Sequence, residues 1–140
     1  MLFSALELEN VAKKYDPIEA NRFMDEGYVC LFAGGIGKPG YTTDTTAATR
    51  AIEVKADAIL FGKNGTDGVY TSDPNKDKDA KFIKSITYSK VIDMGLKVMD
   101  TSAAILLKET TITTRVFSMD NIENFYNVAA GSDIGTTIEE

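Results

Sequence analysis

Short apolar runs alternate with longer amphipathic stretches along the 140 residues of the chain. The runs are typical of buried strands, whereas the stretches repeat apolar residues every three or four positions, as helices do. The pattern predicts strands over residues 28–33, 57–62 and 111–119, an edge strand over 135–140, and helices over 17–26, 45–54, 87–96, 101–109 and 121–130. Strands that alternate with helices indicate an α/β protein with a largely parallel, buried sheet.

Polar residues stand in front of these predicted helices, where their side chains can accept hydrogen bonds from the free N–H groups of the first turn. Pro17 suits the first position of a helix, and Gly27 and Gly131 are expected to end the helices that precede them. The expected caps are Asp16, Thr43 or Asp44, Asp100 and Asp120.

Composition narrows the chemistry that the chain can perform. Its formal net charge of −6 argues against a nucleic-acid binder, which usually carries a basic face, and no apolar run is long enough to span a membrane. The absence of histidine excludes histidine-based triads and histidine zinc sites, and the single cysteine fits a reducing compartment. Catalysis would therefore depend on carboxylates, Lys and Arg, hydroxyls, backbone amides and Mg²⁺.

A glycine-rich loop follows the first predicted strand. Gly35, Gly37 and Gly40 spell G-x-G-x-x-G, the pattern of a dinucleotide-binding turn. In that turn the third glycine lies inside a helix that has already begun, whereas here Pro39 precedes it and residues 41–43 follow before the helix starts. The Walker A pattern also fails, because neither Gly-Lys pair is followed by Ser or Thr.

The loop nevertheless lies where open α/β sheets bind ligands, at the carboxyl end of a strand. Its threonine hydroxyls and the free N–H groups of the helix start suit an anion. These threonines are Thr42, Thr43, Thr45 and Thr46. The alternative is an ordinary capped helix behind a glycine turn.

A second glycine-rich loop follows the next predicted strand. In it Asn64, Tyr70 and Asp73 offer an amide, a ring face and a carboxylate, a set that suits a nucleobase and a ribose. Two such loops on adjacent strands suggest two ligands side by side, as phosphoryl transfer needs.

Four stretches together resemble the bacterial uridylate kinases of the amino-acid kinase family. They are "FAGGIGKPGYTTDTTAATRAIEVKADAIL", "GKNGTDGVYTSDP", "GLKVMDTSA" and "RVFSM…GSDIGTTI". The resemblance implies a three-layer α/β/α, carbamate kinase-like fold in one partial domain, 1–140, with a UMP-side loop at 34–46 and an ATP-side loop at 62–74. It also implies transfer of phosphate from ATP to UMP with Mg²⁺, for pyrimidine nucleotide synthesis, in a cytoplasmic homohexamer that responds to GTP and UTP.

The resemblance also assigns roles to individual residues. The UMP-binding segment corresponds to Ile36, Gly37, Lys38, Pro39, Gly40, Tyr41, Thr42 and Thr43. Ile36, Lys38 and Gly40 stand where the family usually has threonine, asparagine and an aromatic residue. The positions that contact ATP correspond to Asn64, Tyr70 and Asp73. Asp44 matches the aspartate that organises the catalytic lysines in the family.

The kinases of this family are longer at the N-terminus, where they carry a glycine-rich phosphate loop and its lysine. The chain therefore resembles the C-terminal part of such a kinase, and we expect it to be inactive or nearly so by itself. Lys38 and Lys63 are its candidates for a catalytic lysine. The alternative functions are a non-catalytic nucleotide-binding module and a kinase of the same fold that acts on an amino acid or a carbamate.

Overall fold

Helices and short strands alternate along the chain in a computed structural model that describes all 140 residues. In chain order the elements are β1 (Leu2–Ser4), β2 (Lys13–Lys14), α1 (Pro17–Asp25), β3 (Leu31–Ala33), α2 (Thr43–Glu53), β4 (Ala58–Lys63), β5 (Val69–Tyr70), β6 (Phe82–Ile83), β7 (Ser85–Ile86), α3 (Tyr88–Asp93), α4 (Thr101–Lys108), β8 (Thr113–Ser118), α5 (Glu123–Ala129) and β9 (Thr136–Ile138). None of the helices has the length and the apolar character that crossing a membrane requires.

The first sheet is small and entirely parallel, in the order β2-β1-β3. Phe3 is fully buried on β1, and it packs with Ala20 and Phe23 of α1 in a separate cluster of three buried residues. Its ring meets that of Phe23 at an angle, with 6.0 Å between the centroids. Edge-on aromatic contacts of this kind hold α1 on the sheet.

The second sheet contains most of the core. Its order is β4-β8-β9-β7, in which β4 and β8 are parallel along six residue pairs and β9 runs antiparallel to β8. A cluster of fifteen buried residues lies beneath it, contributed also by α2, α3 and α4. Thr136 of β9 accepts a hydrogen bond from the Val69 N–H (2.9 Å) and donates one to the Ile83 carbonyl (2.5 Å), so it attaches the antiparallel β5–β6 hairpin to this sheet.

Some helix caps agree with the sequence and others do not. Asp16 accepts from the Glu19 N–H at 2.9 Å and Asp100 from the Ala103 N–H at 2.9 Å, which confirms both predictions. The prediction for α2 was wrong, because the cap is Thr42 and the helix begins at Thr43. Asp120 does not cap α5, which begins at Glu123 without a side-chain cap.

Three further predictions about the strands were wrong. Leu31 is 61% exposed, so the strand predicted over 28–33 is not buried, because β3 forms the edge of the first sheet. The strand β9 is not an edge strand, since it lies between β8 and β7. The strands β3 and β4 are not adjacent either, because they belong to different sheets and α2 connects them in sequence.

Candidate functional site

The loop between β3 and α2 is a glycine turn that lies close to the backbone of Ala5, the residue after β1. The Gly37 N–H donates to the Gly34 carbonyl at 3.0 Å, and both residues have positive φ angles, 75° and 77°. A Cβ on Gly37 would lie 3.1 Å from the carbonyl oxygen of Ala5. Glycine is therefore required here by conformation and by space.

The turn leads directly into the first turn of α2. The Thr42 hydroxyl accepts a hydrogen bond from the Thr45 N–H at 3.2 Å, while Thr45 itself is buried. The N–H groups at this end carry the positive end of the helix dipole. The sequence therefore builds an anion-favouring helix start at the end of a glycine turn.

Asp100 joins this helix start to α4. Its carboxylate accepts from the Thr45 N–H at 3.2 Å, from the Thr45 hydroxyl at 2.9 Å, and from the Thr42 hydroxyl. It also accepts from the Ala103 N–H in the first turn of α4. Partial burial by itself would raise the pKa of Asp100, but these hydrogen bonds outweigh it and hold the pKa below its usual value. Asp100 is therefore a carboxylate shared by two helix starts.

Asp44 lies beside this junction, and its Oδ2 accepts a hydrogen bond from the Asp100 N–H at 3.2 Å. Its side chain lines a cavity of about 530 Å³, which we call the α4 cavity. Lys63, at the end of β4, and Asp100 line the same cavity, together with residues of α3 and α4. The cavity thus brings the start of α2 and the end of β4 together.

A second cavity, of about 470 Å³, is formed around the loop that follows β4, and we call it the β5 cavity. Tyr70 and Asp73 line it, and the Tyr70 ring stacks edge-on against Phe82 with 5.5 Å between centroids. The Tyr70 hydroxyl donates to Asp67 at 2.7 Å, which fixes the ring. The hydrogen bond from the Asn75 N–H lowers the pKa of Asp73, so this carboxylate stays ionised. A cavity of this size holds a small ligand.

The two cavities share one wall. Lys63, Lys97 and the segment 95–98 line both of them. Two ligands bound in the two cavities would therefore meet at a wall that contains two lysines. Lysines at such a point stabilise the negative charge of phosphates.

Only some of the predicted site residues line one of the two cavities. Tyr70 and Asp73 line the β5 cavity and Asp44 lines the α4 cavity, whereas Asn64 is exposed and lines neither. The predicted UMP segment, residues 36–43, also lines neither cavity. Its members are exposed apart from a half-buried Ile36. Their roles in binding stay predictions.

Sequence reasoning missed two residues of this site. Lys97 was not predicted as a site residue, although it lies in the stretch "GLKVMDTSA". Asp100 was predicted only as a helix cap, and its contacts with Thr42 and Thr45 span 58 and 55 positions of sequence. Nothing local in the sequence signals a contact over such a separation.

Comparisons with known proteins concern the sequence and the fold of the chain, and they agree with one another. Residues 3–118 match the model of the amino acid kinase family. A uridylate kinase of Limosilactobacillus reuteri is 44% identical over 136 residues, which cover 97% of this chain and 57% of the relative. A uridylate kinase of Oenococcus oeni is 42% identical over 138 residues, with coverages of 99% and 57%.

Solved structures of UMP kinases have the same fold. The structure from Bacillus anthracis gives a TM-score of 0.94 at 36% identity and is matched over 99% of this chain and 57% of its own. The structure from Ureaplasma parvum gives 0.90 at 32% identity, with coverages of 99% and 59%. The chain therefore spans less than two thirds of the length of the relatives that it matches.

Proposed function

Because the chain belongs to the amino acid kinase family, we propose that it is the part of a uridylate kinase that binds both nucleotides and transfers the γ-phosphoryl group of ATP to UMP. The shared wall between the two cavities carries this proposal, because phosphoryl transfer needs a donor and an acceptor that meet at cationic groups. The proposed acceptor segment, 36–43, lines neither cavity, and it is connected to that wall through Asp44, the next residue, which lines the α4 cavity. Similarity to uridylate kinases at 42–44% identity supports the choice of UMP as acceptor.

In this proposal the β5 cavity binds ATP. The Tyr70 ring provides a face for the base, and the ionised Asp73 accepts hydrogen bonds from ribose hydroxyls. Asn64 directly follows Lys63 in sequence but lines neither cavity, and its contact with ATP stays a prediction from the resemblance. The phosphate end of ATP would then point along the shared wall toward Asp44.

The glycine turn and the start of α2 bind UMP in the same proposal. Residues 36–43 contact the nucleotide, and the N–H groups of Thr43 and Asp44, which the Asp100 carboxylate does not occupy, hold its phosphate. Lys38 offers a further positive charge from an exposed position of the turn. Asp44 lines the α4 cavity from this helix start, and its proposed role is to orient the lysines that line the same cavity.

The proposed reaction forms one P–O bond and breaks another. An oxygen of the UMP phosphate attacks the γ-phosphorus of ATP, and the bond from that phosphorus to the β–γ bridging oxygen breaks, so UDP and ADP are the products. Lys63 and Lys97 neutralise charge on the oxygens that transfer. The protein itself provides position and charge, so its lack of histidine is no obstacle.

Mg²⁺ would enter with ATP under this proposal. The chain has no group of three or more acidic, histidine or cysteine side chains placed to hold a metal ion. Kinase sites usually bind Mg²⁺ through one or two carboxylates and the substrate phosphates, a requirement that Asp44 fits from its place in the α4 cavity. Bound there, Mg²⁺ would offset the charge of the phosphate groups.

Calorimetric titration of the chain with ATP tests the donor site. We expect Tyr70→Ala to weaken ATP binding about tenfold, because it removes the ring face of the β5 cavity. The matched control is Tyr126→Ala on α5, a residue that is 74% exposed and is not part of the cavity lining, and it should leave the affinity unchanged. Equal affinities for all three proteins would overturn the assignment of this cavity to ATP.

A turnover assay tests the reaction and separates the alternatives. With ATP and UMP we expect UDP to form slowly, because the chain provides only part of the length of its relatives, and Asp44→Asn should abolish it. ATP binding without any UDP would favour the non-catalytic nucleotide-binding module. Faster transfer to an amino acid or to carbamate than to UMP would favour the other kinases of this fold. The cytoplasmic location, the homohexamer and the response to GTP and UTP stay predictions that rest on the resemblance.

A further inference from the structure

Arg50 is a buried cation on the predicted acceptor side, although it lies outside both cavities. Its residue surface is 8% exposed, in the last turn of α2. One guanidinium nitrogen donates to Glu53 at 2.7 Å and another donates to the backbone carbonyl of Gly35 at 2.8 Å. The guanidinium plane lies over the ring of Tyr15, with 3.6 Å from its central carbon to the ring centroid. Arg50 thus joins the glycine turn, α2 and the segment that precedes α1.

The glycine turn has little of its own to hold it in place. Gly34, Gly35, Gly37 and Gly40 all have positive φ angles. Glycines in such a turn lose more conformational freedom on ordering than other residues do. Within the turn, the bond from the Gly37 N–H to the Gly34 carbonyl is the internal backbone hydrogen bond. The conformation of the turn therefore depends on its surroundings, which are Ala5 on one side and Arg50 at the Gly35 carbonyl.

The contacts of Arg50 suit a role in fixing the conformation of the glycine turn better than a role in the general stability of the fold. Burying a charge is costly, and replacing a buried ion pair by apolar residues is often neutral or stabilising. Only the planar, forked guanidinium can donate to a carboxylate and a carbonyl at once while stacking on a ring. Its Nε is buried without a partner, which adds to the cost of keeping the charge there.

We propose that Arg50 is a positioning residue for acceptor binding, which holds the Gly35 carbonyl so that the turn 34–40 presents its backbone to UMP in one conformation. This inference rests on the proposed function, since it takes that turn as the UMP site. Arg50 itself does not touch the nucleotide. Its effect passes through the turn, so loss of Arg50 weakens acceptor binding and leaves donor binding in the β5 cavity unchanged.

Two measurements on the full chain test this proposal. Amide hydrogen exchange of the peptide that covers 34–42, without ligand, reports the order of the turn through the Gly37 N–H. Calorimetric titrations with UMP and with ATP report the consequence. In both Arg50→Gln and Arg50→Lys we expect the amides of this peptide to exchange faster than in the wild type. Both variants should bind UMP about tenfold more weakly, with the ATP affinity unchanged. The lysine variant keeps the charge and is the milder change, so it serves where the glutamine variant fails to fold.

Arg22→Gln is the matched control. It removes an arginine from the neighbouring helix α1, where the side chain is 56% exposed and bonds to Glu26 at 2.8 Å, and it should change neither measurement. Unchanged exchange of the turn in both Arg50 variants would overturn the proposal, as would faster exchange with an unchanged UMP affinity or an equal loss of ATP and UMP affinity. Wild-type chain that binds ATP but no UMP would overturn the acceptor site of the proposed function and, with it, the binding role of Arg50.

Discussion

A single carboxylate, that of Asp100, connects the first turns of two helices. It satisfies the Ala103 N–H of α4 and, across the interface, the Thr45 N–H of α2. Its own N–H holds Asp44 at 3.2 Å. One residue therefore caps a helix, fixes a neighbouring helix and orients the carboxylate that enters the α4 cavity. An ordinary cap satisfies only its own helix.

Replacing Asp100 by alanine is expected to lower the free energy of unfolding by about 1–3 kcal/mol at neutral pH, because several N–H and O–H donors lose a charged acceptor. The folded pKa lies below the usual value of about 3.9, so this contribution is complete above that value. It is lost as the pH falls through the lower, folded pKa. Urea denaturation from pH 7 down to the acid limit should show a difference that is constant at first and then narrows.

Two other variants complete that experiment. Asp16→Ala removes a cap that accepts one N–H bond, from Glu19, so its loss should be smaller than that of Asp100→Ala. Asp100→Asn keeps an oxygen that can cap α4 and should recover part of the stability. A difference for Asp100→Ala that is as large in acid as at neutral pH would contradict the role of the ionised carboxylate.

At the scale of the elements, a glycine allows one segment to lie closer to its neighbouring strand than a residue with a Cβ would. Gly135 directly precedes β9 with a φ of +78°, and a Cβ there would lie 2.0 Å from the carbonyl oxygen of Val116 on β8. Gly131, which follows α5, has a φ of +94°, and a Cβ there would meet nothing within 4 Å. Both glycines have a positive φ, but only Gly131 has room for a Cβ.

Gly135→Ala is therefore expected to lower the free energy of unfolding by about 3–5 kcal/mol, through backbone strain and a clash with β8. Gly131→Ala has the strain alone and should cost about 1–2 kcal/mol. Denaturant titration of both variants measures the difference. Equal losses would mean that β9 can move away from β8 without cost.

The elements also show why sequence predicts some parts of this fold and not others. Periodic apolar residues and a local aspartate predict α1 and α4 with their caps, because both signals lie within one turn of the helix. The strands β1, β2, β5, β6 and β7 have two or three residues each, too few for any period to appear. Sheet membership depends on partners distant in sequence, so the adjacency predicted for β3 and β4 was wrong. Tyr70 and Asp73, predicted from one local loop, line the β5 cavity, whereas no local signal pointed to Lys97 on the shared wall.

Across the whole molecule, the two sheets differ greatly in how much core they have. The second sheet covers fifteen buried residues and the first covers three. Strand hydrogen bonds do not connect the two sheets. Helix α2 packs on α4 and β4, and its Arg50 contacts Tyr15 and the Gly35 carbonyl beside the first sheet. The proposed acceptor turn follows β3, in the part with the smaller core, whereas the β5 cavity belongs to the part with the larger one.

This asymmetry predicts two levels of protection from hydrogen exchange. Local openings need less free energy where few apolar contacts are lost, so amides of β1 and β3 should exchange faster than those of β4 and β8. Phe3→Ala removes the centre of the small cluster and should accelerate exchange in the first sheet with little change in β4 and β8. Val116→Ala lies in the large cluster and should accelerate exchange in both. If this prediction holds, the two sheets are not equally protected in the wild type and do not respond uniformly to Phe3→Ala. Equal protection or a uniform response would show that the chain opens as one cooperative unit, so that the acceptor and donor sites open with the same free energy.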